Sequence, residues 1–124
     1  MHHVIFLGGA NDILQGRRIE DISRDYKRVL EWCEEKQYSL CVVLPFISTE
    51  QALNRQLLNL RQEAEHICGG KAFLLDLQPA IGMDAGARFK AYVDGIHPKS
   101  QTYEAMGSYA APLIWKWLKN EKEA

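Results

Sequence analysis

The chain has 124 residues, 47% of them hydrophobic, with 15 basic side chains against 16 acidic ones and a net charge of −1. That length suits a single domain over residues 1–124 with a real core. The balanced charge excludes the basic footprint of a nucleic-acid binder and any pull toward an anionic membrane surface. No apolar run approaches the ~20 residues that cross a bilayer, and no signal peptide precedes the first strand-like run, so a cytoplasmic protein is expected.

Taken along the chain, apolar runs and amphipathic stretches alternate. Val4 to Leu7 is short and wholly apolar, predicting a strand covered on both faces. A turn follows at Gly8-Gly9-Ala10-Asn11-Asp12. Ile19, Ile22, Tyr26, Val29, Leu30 and Cys33 then recur at spacings of three and four, predicting a helix from about 18 to 36. Leu40 to Leu44 is a second apolar, β-branched strand, stopped by Pro45. Ser48-Thr49-Glu50-Gln51 reads as a capping box with Ser48 as N-cap. The helix it opens carries Leu53, Leu57, Leu60, Ala64 and Ile67 on one face and ends at Gly69-Gly70.

Ala72 to Leu75 is the third strand. A long loop from about Gln78 to Lys99 follows, with a helical turn near Ala87 to Tyr92. In the last helix, from about Ser100 to Lys119, Tyr103, Met106, Ala110, Leu113, Ile114, Trp117 and Leu118 face inward, and the tail 119–124 is expected to fray. The order β-α-β-α-β-α predicts a three-layer α/β/α fold with a parallel sheet of about three strands. That is small, since open sheets of this kind usually carry four to six.

Cys33, Cys41 and Cys68 form no CxxC pair and no even framework, and each lies in an apolar segment, which predicts reduced, packed thiols. His2 and His3 have no neighbours to complete a ligand set. No metal and no cofactor is expected.

In open parallel sheets, sites form beyond the carboxyl ends of the strands. Two polar clusters lie there: Gly9-Ala10-Asn11-Asp12 after the first strand, and Asp94-Gly95-Ile96-His97-Pro98 before the last helix. An Asp three residues before a His can fold onto the imidazole Nδ1–H, fixing the tautomer and leaving Nε2 to take a proton. An asparagine amide suits a developing oxyanion. Taken singly, each cluster has an ordinary explanation as a turn or a helix start.

Together, in this order, they resemble the SGNH hydrolases, also called the GDSL esterase/lipase family. Gly9-Ala10-Asn11-Asp12 is similar to that family's Gly-x-Asn-Asp block, and Asp94, His97 and Pro98 to its Asp-x-x-His-Pro block. Tyr103-Glu104-Ala105-Met106 resembles the start of the family's final helix, with Thr102 in place of the usual glycine, and Phe73 to Asp76 suits its strand. The resemblance implies a shortened SGNH, flavodoxin-like fold. In it Asn11 donates to the oxyanion, His97 is the general base, Asp94 orients His97, and Gly9 and Asp12 support the turn.

The family's nucleophile lies in a Gly-Asp-Ser block on a preceding strand, and no Gly-Asp-Ser occurs in these 124 residues. Ser48 follows the second strand on the correct side of the sheet, but its capping role explains it better. The resemblance therefore implies a domain for small acyl esters that is inactive or weak alone. The alternative is a non-catalytic α/β binding or assembly module. A nucleotide-binding reading is weaker still, with neither GxGxxG nor a Walker lysine present. In the family's sheet order the absent strands lie beside Val4 to Leu7. That predicts an exposed apolar edge there and a homodimer through it.

Overall fold

The computed structural model describes residues 2–8, 10–82, 84–93 and 97–123, with the side chains of residues 10, 11, 85 and 121–123 outside that description. Its elements run β1 (His3–Leu7), α1 (Ala10–Leu14), α2 (Ile19–Lys36), β2 (Ser39–Val43), α3 (Gln51–Cys68), β3 (Phe73–Leu75), α4 (Gln78–Ile81), α5 (Ala85–Ala91) and α6 (Ser100–Glu123). The strands form one parallel sheet in the order β1-β2-β3, with His3 level with Ser39 and Cys41 level with Phe73.

Strand alternation divides the core in two. Val4, Phe6, Leu40, Val42, Leu44 and Leu74 point to one face, where Ile22, Tyr26, Leu30 and Cys33 of α2 and Leu60, Ala64 and Cys68 of α3 cover them. Cys41, Val43, Phe73 and Leu75 point to the other face, where Met106, Ala110, Leu113, Ile114 and Trp117 of α6 and Ile81 of α4 cover them. This is the expected three-layer α/β/α arrangement, with β2 buried on both sides because it alone has neighbours at both edges. All three cysteines are buried and free, and burial pushes the Cys41 thiol up to about 11. Among the described residues no helix is long and apolar enough to cross a membrane.

Several expectations need correction. Beyond His3, β1 is covered on one face only: Ile5 is 53% exposed and Leu7 62%, because α6 packs over β2 and β3 and meets β1 through Trp117 against the His3 ring. Its wholly apolar sequence thus marks a strand with an uncovered side. The turn after β1 is a short helix, α1, and the long loop holds a helix, α4, besides α5, which lies at the helical turn expected near Ala87. Between them Gly82, at φ 142, lies where a Cβ would come within 2.8 Å of the Ala87 Cβ, so a side chain there is excluded.

Tyr103 is exposed, whereas its neighbour Thr102 is buried and donates from Oγ1 to the Ala91 carbonyl at 2.7 Å. The final helix continues through the expected frayed tail to Glu123, even though Pro112 within it cannot donate a helical hydrogen bond.

Leu60 has no exposure at all and joins α3 to the sheet, while Leu58, two residues away, is exposed. In denaturant unfolding, Leu60→Ala is expected to cost about 2–5 kcal/mol through the cavity it leaves. Leu58→Ala should stay within about 0.5 kcal/mol of wild type.

Candidate functional site

Because the three strands are parallel, their carboxyl ends share one rim, and the polar turns after β1, β2 and β3 meet there. At the β1 tip, the Tyr26 hydroxyl donates to the Gly8 carbonyl at 3.1 Å, and the ring packs edge-on against Phe6. Burial raises the Tyr26 phenol well above its ordinary value, so it remains a donor at physiological pH. Arg17 holds the far side of the turn, donating to Asp12 Oδ1 at 3.0 Å and to Asp25 Oδ2 at 2.6 Å. Its backbone N–H also returns to the Asp12 carbonyl. Asp12 thereby helps close the loop between α1 and α2.

Asn11 lies in α1, one residue before Asp12, and its side chain is outside the described residues, as is Gly9. Asp94 is outside them as well.

His97 is described, and the segments 91–93 and 97–99 on either side bond to each other. Val93 N–H donates to the His97 carbonyl at 2.8 Å and Lys99 N–H to the Ala91 carbonyl at 2.9 Å, forming an antiparallel bridge between Tyr92 and Pro98. Alternation sends Tyr92 and Pro98 inward, where both are buried, and Val93 and His97 outward, where both are exposed. The Tyr92 hydroxyl then donates to the Ile47 carbonyl at 2.6 Å. Ile47 lies just beyond β2, so this bond ties the His97 hairpin to the carboxyl rim. Burial pushes the Tyr92 phenol up to about 12, which keeps the donor protonated.

The turns after β2 and β3 are bound to each other and to α5. Ile47 N–H donates to Gln78 Oε1 at 2.8 Å, and Arg88 Nε donates to the Ser48 carbonyl at 3.2 Å. Arg61 grips Asp76 through two bonds, at 3.1 and 2.6 Å. That guanidinium holds the Asp76 carboxyl below its ordinary value, with help from the Gln78 N–H and against the opposing effect of burial.

Ser48 is buried and its hydroxyl is engaged twice, donating to Asn54 Oδ1 and accepting from Glu50 N–H, both at 3.0 Å. The expected capping box is absent: α3 starts at Gln51 with Glu50 as its cap residue, and Ser48 turns instead toward Asn54 inside the helix. Among the described residues no group of three or more His, Cys, Asp or Glu is placed to hold a metal ion.

Sequence reading missed Tyr92, Arg17 and the Arg61–Asp76 pair. Their partners lie between five and 45 positions away in the chain, so no local pattern announces them.

This architecture defines a class: a parallel α/β domain with helices on both faces and polar turns gathered at the carboxyl rim. No family profile matches the sequence, and no curated protein matches it. Solved structures do. One, provisionally assigned as a platelet activating factor from Streptococcus pneumonia, superposes with a TM-score of 0.77 at 15% identity, over 92% of this chain and 60% of its own. A second, provisionally assigned as a lipolytic protein of the G-D-S-L family from Desulfitobacterium hafniense DCB-2, gives 0.74 at 20% identity, over 89% and 63%. The fold is that of SGNH, or GDSL-type, lipolytic proteins, and the chain spans about three fifths of the length of these two structures.

Two measurements follow from these bonds. Because the folded Asp76 value is depressed, its contribution to stability is complete above its unfolded value near 4 and is lost as pH falls through the folded one. The stability gap between wild type and Asp76→Asn is therefore expected to be constant above about pH 5 and to shrink in acid. Tyr92→Phe should cost about 1 kcal/mol and speed amide exchange at Val93 and Lys99 selectively.

Proposed function

We propose that this chain is an SGNH-type acyl ester hydrolase domain that retains the Asp94–His97 pair and the Asn11 donor. Its nucleophile comes from a Gly-Asp-Ser segment outside these 124 residues or on a partner chain. The observation that best supports this reading is the Tyr92–Ile47 bond, which ties the hairpin bearing His97 to the rim at which β1 also ends. The likeness to a lipolytic protein of the G-D-S-L family supports it at the level of fold.

In the proposed reaction, the serine Oγ bonds to the carbonyl carbon of a small acyl or acetyl ester while its proton passes to His97 Nε2. Asp94 holds the imidazole in the tautomer that accepts it. The carbonyl oxygen takes up the electron pair and receives a hydrogen bond from Asn11, with Gly9 and Asp12 shaping the turn that presents it. Collapse of the oxyanion breaks the ester C–O bond, and the leaving alcohol takes the proton back from His97. Water then repeats the two steps on the acyl-serine and releases the acid.

The open edge of β1 favours a second reading, a non-catalytic assembly module that forms a homodimer through Val4–Leu7. Hydrolysis of p-nitrophenyl acetate separates the two. The 124-residue chain is expected to turn over at the background rate, equally in wild type and His97→Ala. Fused behind a strand–helix segment bearing Gly-Asp-Ser, it should gain activity that Asn11→Ala lowers by ~10²–10³-fold and His97→Ala by at least as much. A fusion whose rate is indifferent to His97→Ala would sink the hydrolase reading.

A further inference from the structure

The outer edge of β1 has a polarity that can be read residue by residue. Ser39 N–H donates to the His2 carbonyl, so the even-numbered residues of this strand turn their backbone groups toward β2. By alternation His3, Ile5 and Leu7 turn theirs away, presenting three N–H and three C=O groups to the open side, where no described segment pairs with them. The side chains of the same three residues lie on the α6 face, where Ile5 and Leu7 are largely exposed. Edge strands are usually guarded by lysine, proline or a bulge. The sequence His-Val-Ile-Phe-Leu has no charged residue and no proline.

We infer that this edge pairs with the same edge of a second copy, antiparallel across a two-fold axis at Ile5. This deepens the assembly reading of the 124-residue chain. The Gly-Asp-Ser strand of the hydrolase reading would take the same edge, so dimer formation is tested on the chain alone and esterase turnover on the fusion, and the two results stay distinguishable. An antiparallel ladder needs residues that face the gap to stand opposite one another. Centring on Ile5 does this throughout: His3 meets Leu7 of the second copy, Ile5 meets Ile5, and Leu7 meets His3. Each of the three pairs exchanges two hydrogen bonds, using every outward backbone group of the strand.

A parallel two-fold pairing fails on the same count. In a parallel ladder a bonded residue stands level with an unbonded one, as Ser39 does with His3 while bonding to the His2 carbonyl. Two copies related by an axis along the strand would stand at identical levels and could not interlock. The antiparallel arrangement closes with two chains and leaves no edge at β1.

Side-chain chemistry agrees with the geometry. Ile5 of each copy covers its counterpart. Leu7 of one copy falls beside His3 of the other, whose ring already packs edge-on against Trp117 at 5.1 Å. No like charges meet on the strand, and at a net charge of −1 each the two chains scarcely repel.

The test uses Ile5→Lys and Ile5→Glu, since Ile5 is exposed in the single chain and either change should leave its circular dichroism and melting unaltered. By light scattering at micromolar concentration, wild type is expected at twice the chain mass. Either variant alone should be a monomer, weakened ~10²-fold or more by like charges set face to face. An equimolar mixture of the two should recover the dimer, because opposite charges then meet on the axis. Amide exchange at Ile5 and Leu7 should slow with rising wild-type concentration. A wild-type monomer, or a dimer that persists in Ile5→Lys, overturns the proposal.

Discussion

Parallel alignment of three short strands is the constraint from which the rest of this structure follows. It sends every strand end to one rim, so polar turns far apart in sequence become neighbours without any contact designed for that purpose. It also makes β2 the only strand with partners on both sides, which is why Cys41 and Val42 are wholly buried while Ile5 and Leu7 are not. With so little sheet, the rim is held by side chains. Tyr26 reaches Gly8, Tyr92 reaches Ile47, and Arg61 joins Pro45 to Asp76.

Most of the architecture was legible because burial leaves a periodic trace. The three-and-four spacing of Ile22, Tyr26, Leu30 and Cys33 marked α2, and the apolar run at Leu40–Leu44 marked β2, since both elements bury a continuous surface. Where the surface is not continuous, reading failed. Val4–Leu7 looks doubly covered because hydrophobicity records what a face can bury, not whether anything reaches it. Tyr103 looked inward by spacing, but Thr102, one turn before Met106, is the residue that is buried, with its hydroxyl on the Ala91 carbonyl. Ser48 matched a capping pattern, yet Asn54 offers it both an acceptor and a donor and draws the chain away from that geometry.

The candidate site was legible in a different sense. Asn11 and His97 stood out as residue types in a suggestive order, with Asp94 beside His97. The supports around them carry no such signature. Tyr92 and Arg61 act at long sequence separation and Arg17 across the loop between α1 and α2, and an arginine or tyrosine in a helix or loop reads as ordinary surface until its partner is known. The chemistry of a site can therefore be suspected from a few letters, whereas the scaffold that positions it is a property of the folded chain.

Trp117 adds one more consequence. Its indole stacks on Phe73 at 5.9 Å and meets the His3 ring edge-on, so a single side chain near the end of α6 touches the first residue of both outer strands. These contacts lie at the amino ends of the strands, opposite the rim. The base of the sheet is thus clasped by one aromatic side chain, which couples loss of either outer strand to detachment of the last helix. The turns at the rim, by contrast, can change sequence without loosening that clasp.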